Sequence, residues 1–308
     1  MMENWKITDS ICLIDANVFG IPNFTSAYLV VGKELALIET GPTKSAHLIT
    51  EGIRGFGFDP ADLSYLIVTH VHMDHAGGAG TLIKEMPMAK VVVHQKGARH
   101  MVDPSRLVSS SKRVFGNLVD EWYGETLPVP QDRIIPAKEG EMIDLGKGQR
   151  LRVIDSPGHA THHICIYSER DGALFTGDAA GIYLPHSGAV IPTTPPPEFD
   201  PEVNVKTIKG LMDLDPDLLL FSHFGHVDKP YQTLNRSISW LMKWRDTVSE
   251  MMRGDDASME KVTQKFREDT KEALAPNKPT ESVYRWIMEH HIPMCASGYL
   301  NYFKKKAS

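Results

Sequence analysis

The mostly apolar run Leu63-Ser-Tyr-Leu-Ile-Val-Thr69 leads without a break into His70-Val-His-Met-Asp-His75. A run of that kind predicts a buried strand. Side chains two apart on an extended segment face the same side, so His70 and His72 can converge on one ion, and a turn just after them would aim Asp74 and His75 at a second point close by. A chain carrying such a cluster is confined to folds that gather strand ends at one rim. Further strand signals occur at Ile11–Ile14, Ala27–Val31, Leu35–Glu39, Lys90–His94, Leu151–Asp155, Ile164–Tyr167, Ala173–Thr176 and Leu218–Ser222. Helical spacing falls between them at Ser45–Phe56, Thr81–Met86 and Val203–Met212. Strands alternating with helices predict an α/β layered domain.

Three more metal-type side chains, His159, Asp178 and His223, lie a few residues past predicted strands. Composition supports the same chemistry: 14 histidines stand against 3 widely spaced cysteines, so imidazole and carboxylate, not thiolate, would hold an ion. The hydrophobic fraction of 42% excludes disordered classes, and 308 residues can bury a core without disulfides. A net charge of -6 gives nucleic acid no attractive field. The first residues lack the basic and apolar regions of a secretory leader, and no long apolar run follows, which predicts a soluble, cytoplasmic protein with no membrane partner.

Residues 99–136 predict irregular helix and loop lying over the strand ends, and the proline-rich segment 191–198 cannot be regular structure. From about Lys229 onward the pattern is helical and charged, so residues 1–228 are expected to form the α/β unit and 229–308 a C-terminal helical region, with Trp240, Leu241 and Trp244 on its core face. That region is a plausible dimer surface.

Taken together, Thr69-His-Val-His-Met-Asp-His75, Ser156-Pro-Gly-His159, Thr176-Gly-Asp178 and Ser222-His223 resemble the successive signature motifs of the metallo-β-lactamase superfamily, in family order. The resemblance implies an αββα sandwich with a C-terminal helical extension and a dinuclear metal site at one edge. It implies that His70, His72 and His159 bind the first ion, Asp74, His75 and His223 the second, and that Asp178 bridges both. Zinc is the expected metal, with iron, manganese or cobalt as alternatives. One departure is Glu39-Thr40-Gly41, where many members carry an aspartate behind the ligands; the longer side chain must bond differently there.

The expected activity is hydrolysis of a small ester-like compound, a lactone, thioester or phosphoester, by a hydroxide shared between two ions, with Asp74 also relaying a proton. Carbonyl substrates lead, because the acidic chain has no basic track for a polyanion. The alternatives are a nuclease of the ribonuclease Z type and an iron-dependent persulfide dioxygenase. Tyr183, His226 and His94 are candidate substrate-binding residues, each also readable as structural. One of His162 and His163 is expected to orient the ligand loop, and His290 and His291 to lie at the surface unless the helical tail folds over the pocket.

Overall fold

The computed structural model describes residues 5–254 and 257–307. A seven-stranded sheet runs in chain order through β1 (Trp5–Lys6), β2 (Ile11–Asp15), β3 (Ser26–Val31), β4 (Leu35–Ile38), β5 (Leu63–Ile67), β6 (Lys90–His94) and β7 (Ile134–Ala137). Its first four strands are antiparallel meanders, and β4 to β7 are parallel. The parallel steps need crossovers, supplied by α1 (Ala46–Gly55) between β4 and β5 and by α2 (Met73–Ala76) and α3 (Ala79–Leu82) between β5 and β6. Before β7 come α4 (Ala98–Val102), α5 (Ser105–Phe115) and α6 (Leu118–Tyr123), the stretch expected to be irregular. β7 contains Pro136, which hides it from a strand search and is tolerated because β7 is the sheet's edge.

The second sheet has six strands in the order β15-β14-β11-β10-β9-β8. These are β8 (Met142–Asp144), β9 (Arg150–Asp155), β10 (Ile164–Ser168), β11 (Ala173–Gly177), β14 (Leu218–Phe221) and β15 (His226–Val227), with a separate hairpin of β12 (Ile182–Leu184) and β13 (Ala189–Ile191). Helix α7 (Pro201–Met212) crosses over between the parallel strands β11 and β14.

Strand alternation sorts the apolar residues into layers. Ile11 and Leu13 join Tyr28, Ile67, Val153, Ile166 and Phe175 between the two sheets. Their neighbours Cys12 and Ile14 point the other way, toward Ile49 and Ile53 of α1. Both faces of both sheets are therefore covered, which is why the strands read as continuous apolar runs. This is an αββα sandwich.

The C-terminal helices are α8 (Pro230–Arg253), α9 (Met259–Leu274), α10 (Glu281–Trp286) and α11 (Ile292–Ala307), the last two joined by a π turn at Ile287–His291. Trp244 stacks on Phe266 at 4.1 Å between ring centroids, and both share one apolar cluster with Cys165, Leu219 and Phe221 of the second sheet. The outer helical layer is thus built largely from this region. No helix among the described residues is long and apolar enough to cross a membrane.

One carboxylate ties the two sheets together at the end of the β10–β11 turn. Asp171 accepts from Thr8 Oγ1 (2.8 Å) and Ser10 Oγ (2.7 Å) beside the first sheet, and from Gln149 Nε2 (3.0 Å) and Ser168 Oγ (2.7 Å) of the second. Burial alone would raise its pKa, but these donors outweigh burial and hold it below the usual range. Asp171→Ala is expected to cost about 2–3 kcal/mol of stability in urea unfolding at pH 6. Because the folded pKa is depressed, the advantage over the variant is complete above the unfolded carboxyl pKa of about 4 and shrinks as pH falls below it. A difference that stayed constant down to pH 2–3 would refute the linkage.

Candidate metal centre

All seven residues of the motif set meet at one rim of the sandwich. His70 and His72 follow β5, and Asp74 and His75 sit on the single turn of α2. His159 comes from the β9–β10 connection, Asp178 from the residue after β11, and His223 from just past β14. Gly177, at φ +51°, turns the chain here; a Cβ would stand 2.4 Å from the His163 ring. The strand ends converge because each of these loops leaves its sheet on the same side.

The seven side chains sort into two sets around Asp178. His72 Nδ1 lies 2.9 Å from His70 Nε2 and 3.0 Å from His159 Nε2, and Asp178 Oδ2 is 3.5 Å from His159 Nε2 and 4.0 Å from His70 Nε2. On the other side, Asp74 Oδ2 is 3.6 Å from both His75 Nε2 and His223 Nε2. Asp178 Oδ1 completes that group at 3.3 Å from His75 and 3.5 Å from His223. Ligands about 2.0–2.1 Å from one tetrahedral ion stand roughly 3.3 Å apart, so both sets have the spacing of a first coordination sphere. His75 Nε2 and Asp178 Oδ1 are moreover buried without a hydrogen-bond partner. Each is aimed at a point that a cation would satisfy.

Electrostatics agree. Burial and the neighbouring imidazoles push the His70 and His72 rings well below their ordinary pKa, so they stay neutral with lone pairs free for an ion. Burial would also lower His75, but the carboxylates of Asp178, Asp74 and Glu39 override it and hold the ring well above the usual range. Asp178 itself, despite burial, is held well below the carboxylate range by His75, His223 and His159. A field that draws a proton to His75 so strongly is one that attracts a divalent cation.

Groups behind the ligands fix their orientation. Glu39, whose backbone takes φ 68°, reaches where a shorter carboxylate was expected: its Oε1 accepts from Thr69 Oγ1 (2.6 Å) and Ser222 Oγ (2.7 Å) and lies 3.0 Å from His75 Nδ1. Thr193 O, 2.9 Å from His159 Nδ1, holds that ring, and Asp178 N donates to His163 Nε2 at 3.0 Å. His163 is thus a loop-orienting residue of the kind the sequence suggests. Thr193 carries no sequence signal, because it acts through a backbone carbonyl.

The candidate substrate residues fall elsewhere. Tyr183 stacks on Phe221 at 5.3 Å, with Asp228 and Arg236 as the charges acting on its hydroxyl, so it packs on β14 and does not line the site. His94 is buried with Nε2 3.5 Å from Asp155, linking the tips of β6 and β9. His226 is exposed on the edge strand β15. None of the three borders the cavity over the ligands, which measures about 840 Å³. Its walls instead come from elements whose sequence offers no motif: Leu107, Val114 and Phe115 of α5, Tyr123 of α6, and Trp286 and Met294 of the C-terminal region. His291, expected at the surface, is buried on this wall with Nε2 2.8 Å from Pro192 O.

A family model described as the metallo-beta-lactamase superfamily matches residues 20–223. The metallo-beta-lactamase fold-containing protein ST1585 of Sulfurisphaera tokodaii is 33% identical over 218 residues, 70% of this chain and 78% of its own length. An atrochrysone carboxyl ACP thioesterase of Aspergillus fumigatus is 27% identical over 157 residues, which cover 50% of this chain and 29% of that protein. Among solved structures, a metallo-beta-lactamase family protein of Thermus thermophilus aligns over 98% of this chain and 95% of its own, at a TM-score of 0.69 and 20% identity, so the sandwich and its C-terminal helices share one fold with it. The matched span takes in every residue of the two ligand sets, and the chain belongs to the metallo-beta-lactamase superfamily.

Proposed function

We propose that the protein is a dinuclear metal-dependent hydrolase of a small carbonyl ester, a thioester or lactone with an apolar acyl part. The observation that carries this reading is the pair of three-ligand sets facing opposite oxygens of one buried carboxylate, on the floor of a cavity with one apolar wall. Two divalent ions held there supply water activated near neutral pH and a Lewis acid for the developing oxyanion. Every other contribution comes from the chain. Asp178 would fix the spacing between the two ligand sets. Asp74 is the more exposed of the two ligand carboxylates, at 18% against 4% for Asp178, and it borders the cavity, placed to pass a proton to the departing thiol or alcohol. Leu107, Phe115, Trp286 and Met294 would pack on the acyl group and exclude water from the ligand floor. A relative in Aspergillus fumigatus is named as a thioesterase, the bond class proposed for this chain.

A panel of acyl thioesters, lactones, phosphodiesters and phosphotriesters, run with zinc, manganese, cobalt or iron, tests the assignment. Turnover is expected on carbonyl substrates, to be lost on chelation and restored by about two equivalents of metal per chain. Faster turnover of phosphodiesters, or less than half an ion per chain in elemental analysis of the active protein, would overturn it.

A further inference from the structure

The cavity over the ligand floor has a second, chemically different wall. Its apolar side is answered by Arg99 and His100 of α4 and by Arg106, Ser110 and Arg113 of α5. Arg106, Ser110 and Arg113 recur at helical spacing and so lie along one stripe of α5. None of the 11 residues of α5 is fully buried; Leu107, Val108 and Phe115 pack on the core from one side, and Arg106 and Arg113 are exposed.

Some arginines of this chain are ion-paired, and these three are not. Arg54, Arg150 and Arg245 each take a carboxylate, Glu85, Glu169 and Asp246. Among the described residues, no carboxylate lies within ion-pairing distance of Arg99, Arg106 or Arg113. Arg99 Nε meets only His100 Nε2 at 3.3 Å, and Arg113 donates to Ser110 Oγ at 2.8 Å. Of the acidic groups nearby, Glu198 is already engaged by Thr161 N (3.0 Å) and Thr161 Oγ1 (2.8 Å), and Asp103 by Ser105 N (3.0 Å). Three guanidinium groups without an ion-pair partner around one opening, in a chain of net charge -6, make a local site for an anion.

This anion site is continuous with the ligand floor. The His162 ring stands 5.9 Å from that of His72, and Glu198 lies 3.9 Å beyond His162. Arg99 and Arg106 both act on His100, the next group along, helping burial to lower its pKa. The ligand floor and the three arginines line one cavity, so a substrate bound over the ligands can extend one arm toward them.

Resting on the hydrolase reading above, we propose that Arg99, Arg106 and Arg113 form a phosphate subsite, and that the substrate is an ester or thioester whose leaving arm ends in a phosphate. A phosphate, with oxygens in three directions, can accept from three guanidinium forks and a serine hydroxyl at once, which a flat carboxylate cannot.

The test pairs S-acetyl phosphopantetheine with S-acetyl pantetheine, which differ only in that phosphate. The metal-loaded wild type is expected to prefer the phosphorylated thioester by about tenfold or more in kcat/KM, and the preference to fall toward one in R106Q/R113Q. Because Arg106 and Arg113 are exposed, these variants should fold, and R99Q provides an independent second reading. Binding is measured separately with S-methyl phosphopantetheine, which has no bond to cleave: it should raise the melting temperature of the wild type more than that of R106Q/R113Q. If neither thioester is cleaved but that difference is seen, the subsite stands and the hydrolase reading fails. Equal turnover of the two thioesters, or a preference or melting shift that survives in R106Q/R113Q, overturns the subsite and leaves the hydrolase reading intact.

Discussion

Asp178→Ala is expected to lower kcat on the best carbonyl substrate by at least about a thousandfold, roughly 4 kcal/mol of lost transition-state stabilisation, while the chain remains folded. Its two oxygens face different ligand sets, Oδ2 toward His159 and His70, Oδ1 toward His75 and His223, so one substitution removes a donor from both. Metal content should drop from about two ions per chain to about one or fewer, since neither set is complete without it. The fold should survive because the Asp178 side chain meets only the histidines of the site. Its backbone N–H bond to His163 is kept in the variant. Elemental analysis and a thermal melt of the same sample check this. Full residual turnover, or two ions retained, would remove the bridging role.

Gly298→Ala is expected to do more damage than any other single methyl in the C-terminal helices. A Cβ at Gly298 would stand 1.8 Å from Thr194 O and 2.8 Å from its carbonyl carbon, both backbone atoms that no side-chain rotation can move. Replacing a mid-helix glycine with alanine ordinarily stabilises by about 1 kcal/mol, so the sign of the effect is diagnostic. Here the overpacking should dominate, at roughly 3 kcal/mol, or a fall of about 6–12 °C in melting temperature. The consequence reaches the metal centre, because the loop that must yield also carries Thr193 O against His159 Nδ1. Affinity for the ion proposed at His70, His72 and His159 should weaken by about 10–100-fold in a competition with a chelator, the range seen when a group orienting a ligand is lost. Stabilisation, or a destabilised protein with unchanged metal affinity, would show that α11 does not support the site.

This dependence on α11 marks the boundary of what local sequence can report. His70 to His75 are legible because the strand before them is apolar, its alternation pairs His70 with His72, and one helical turn presents Asp74 and His75. Each step is set by neighbours in the chain. His159, Asp178 and His223 are legible for the same reason, as polar residues just past apolar strands. Tyr183, a few residues past Asp178 in β12, carries no local sign of which way it faces; contact with Phe221 decides that.

The sequence by itself therefore determined the layered α/β class and the order along the chain of the side chains that gather at the site. Tertiary structure alone decided which oxygen of Asp178 serves which ligand set, that Glu39 spans from His75 to Ser222, and that α5 and the C-terminal helices enclose the cavity. The physical reason is the range of the interactions. Strand alternation and turn chemistry act over a few residues, whereas the cavity is made by contacts between segments as far apart as Thr194 and Cys295, whose meeting depends on how whole layers stack.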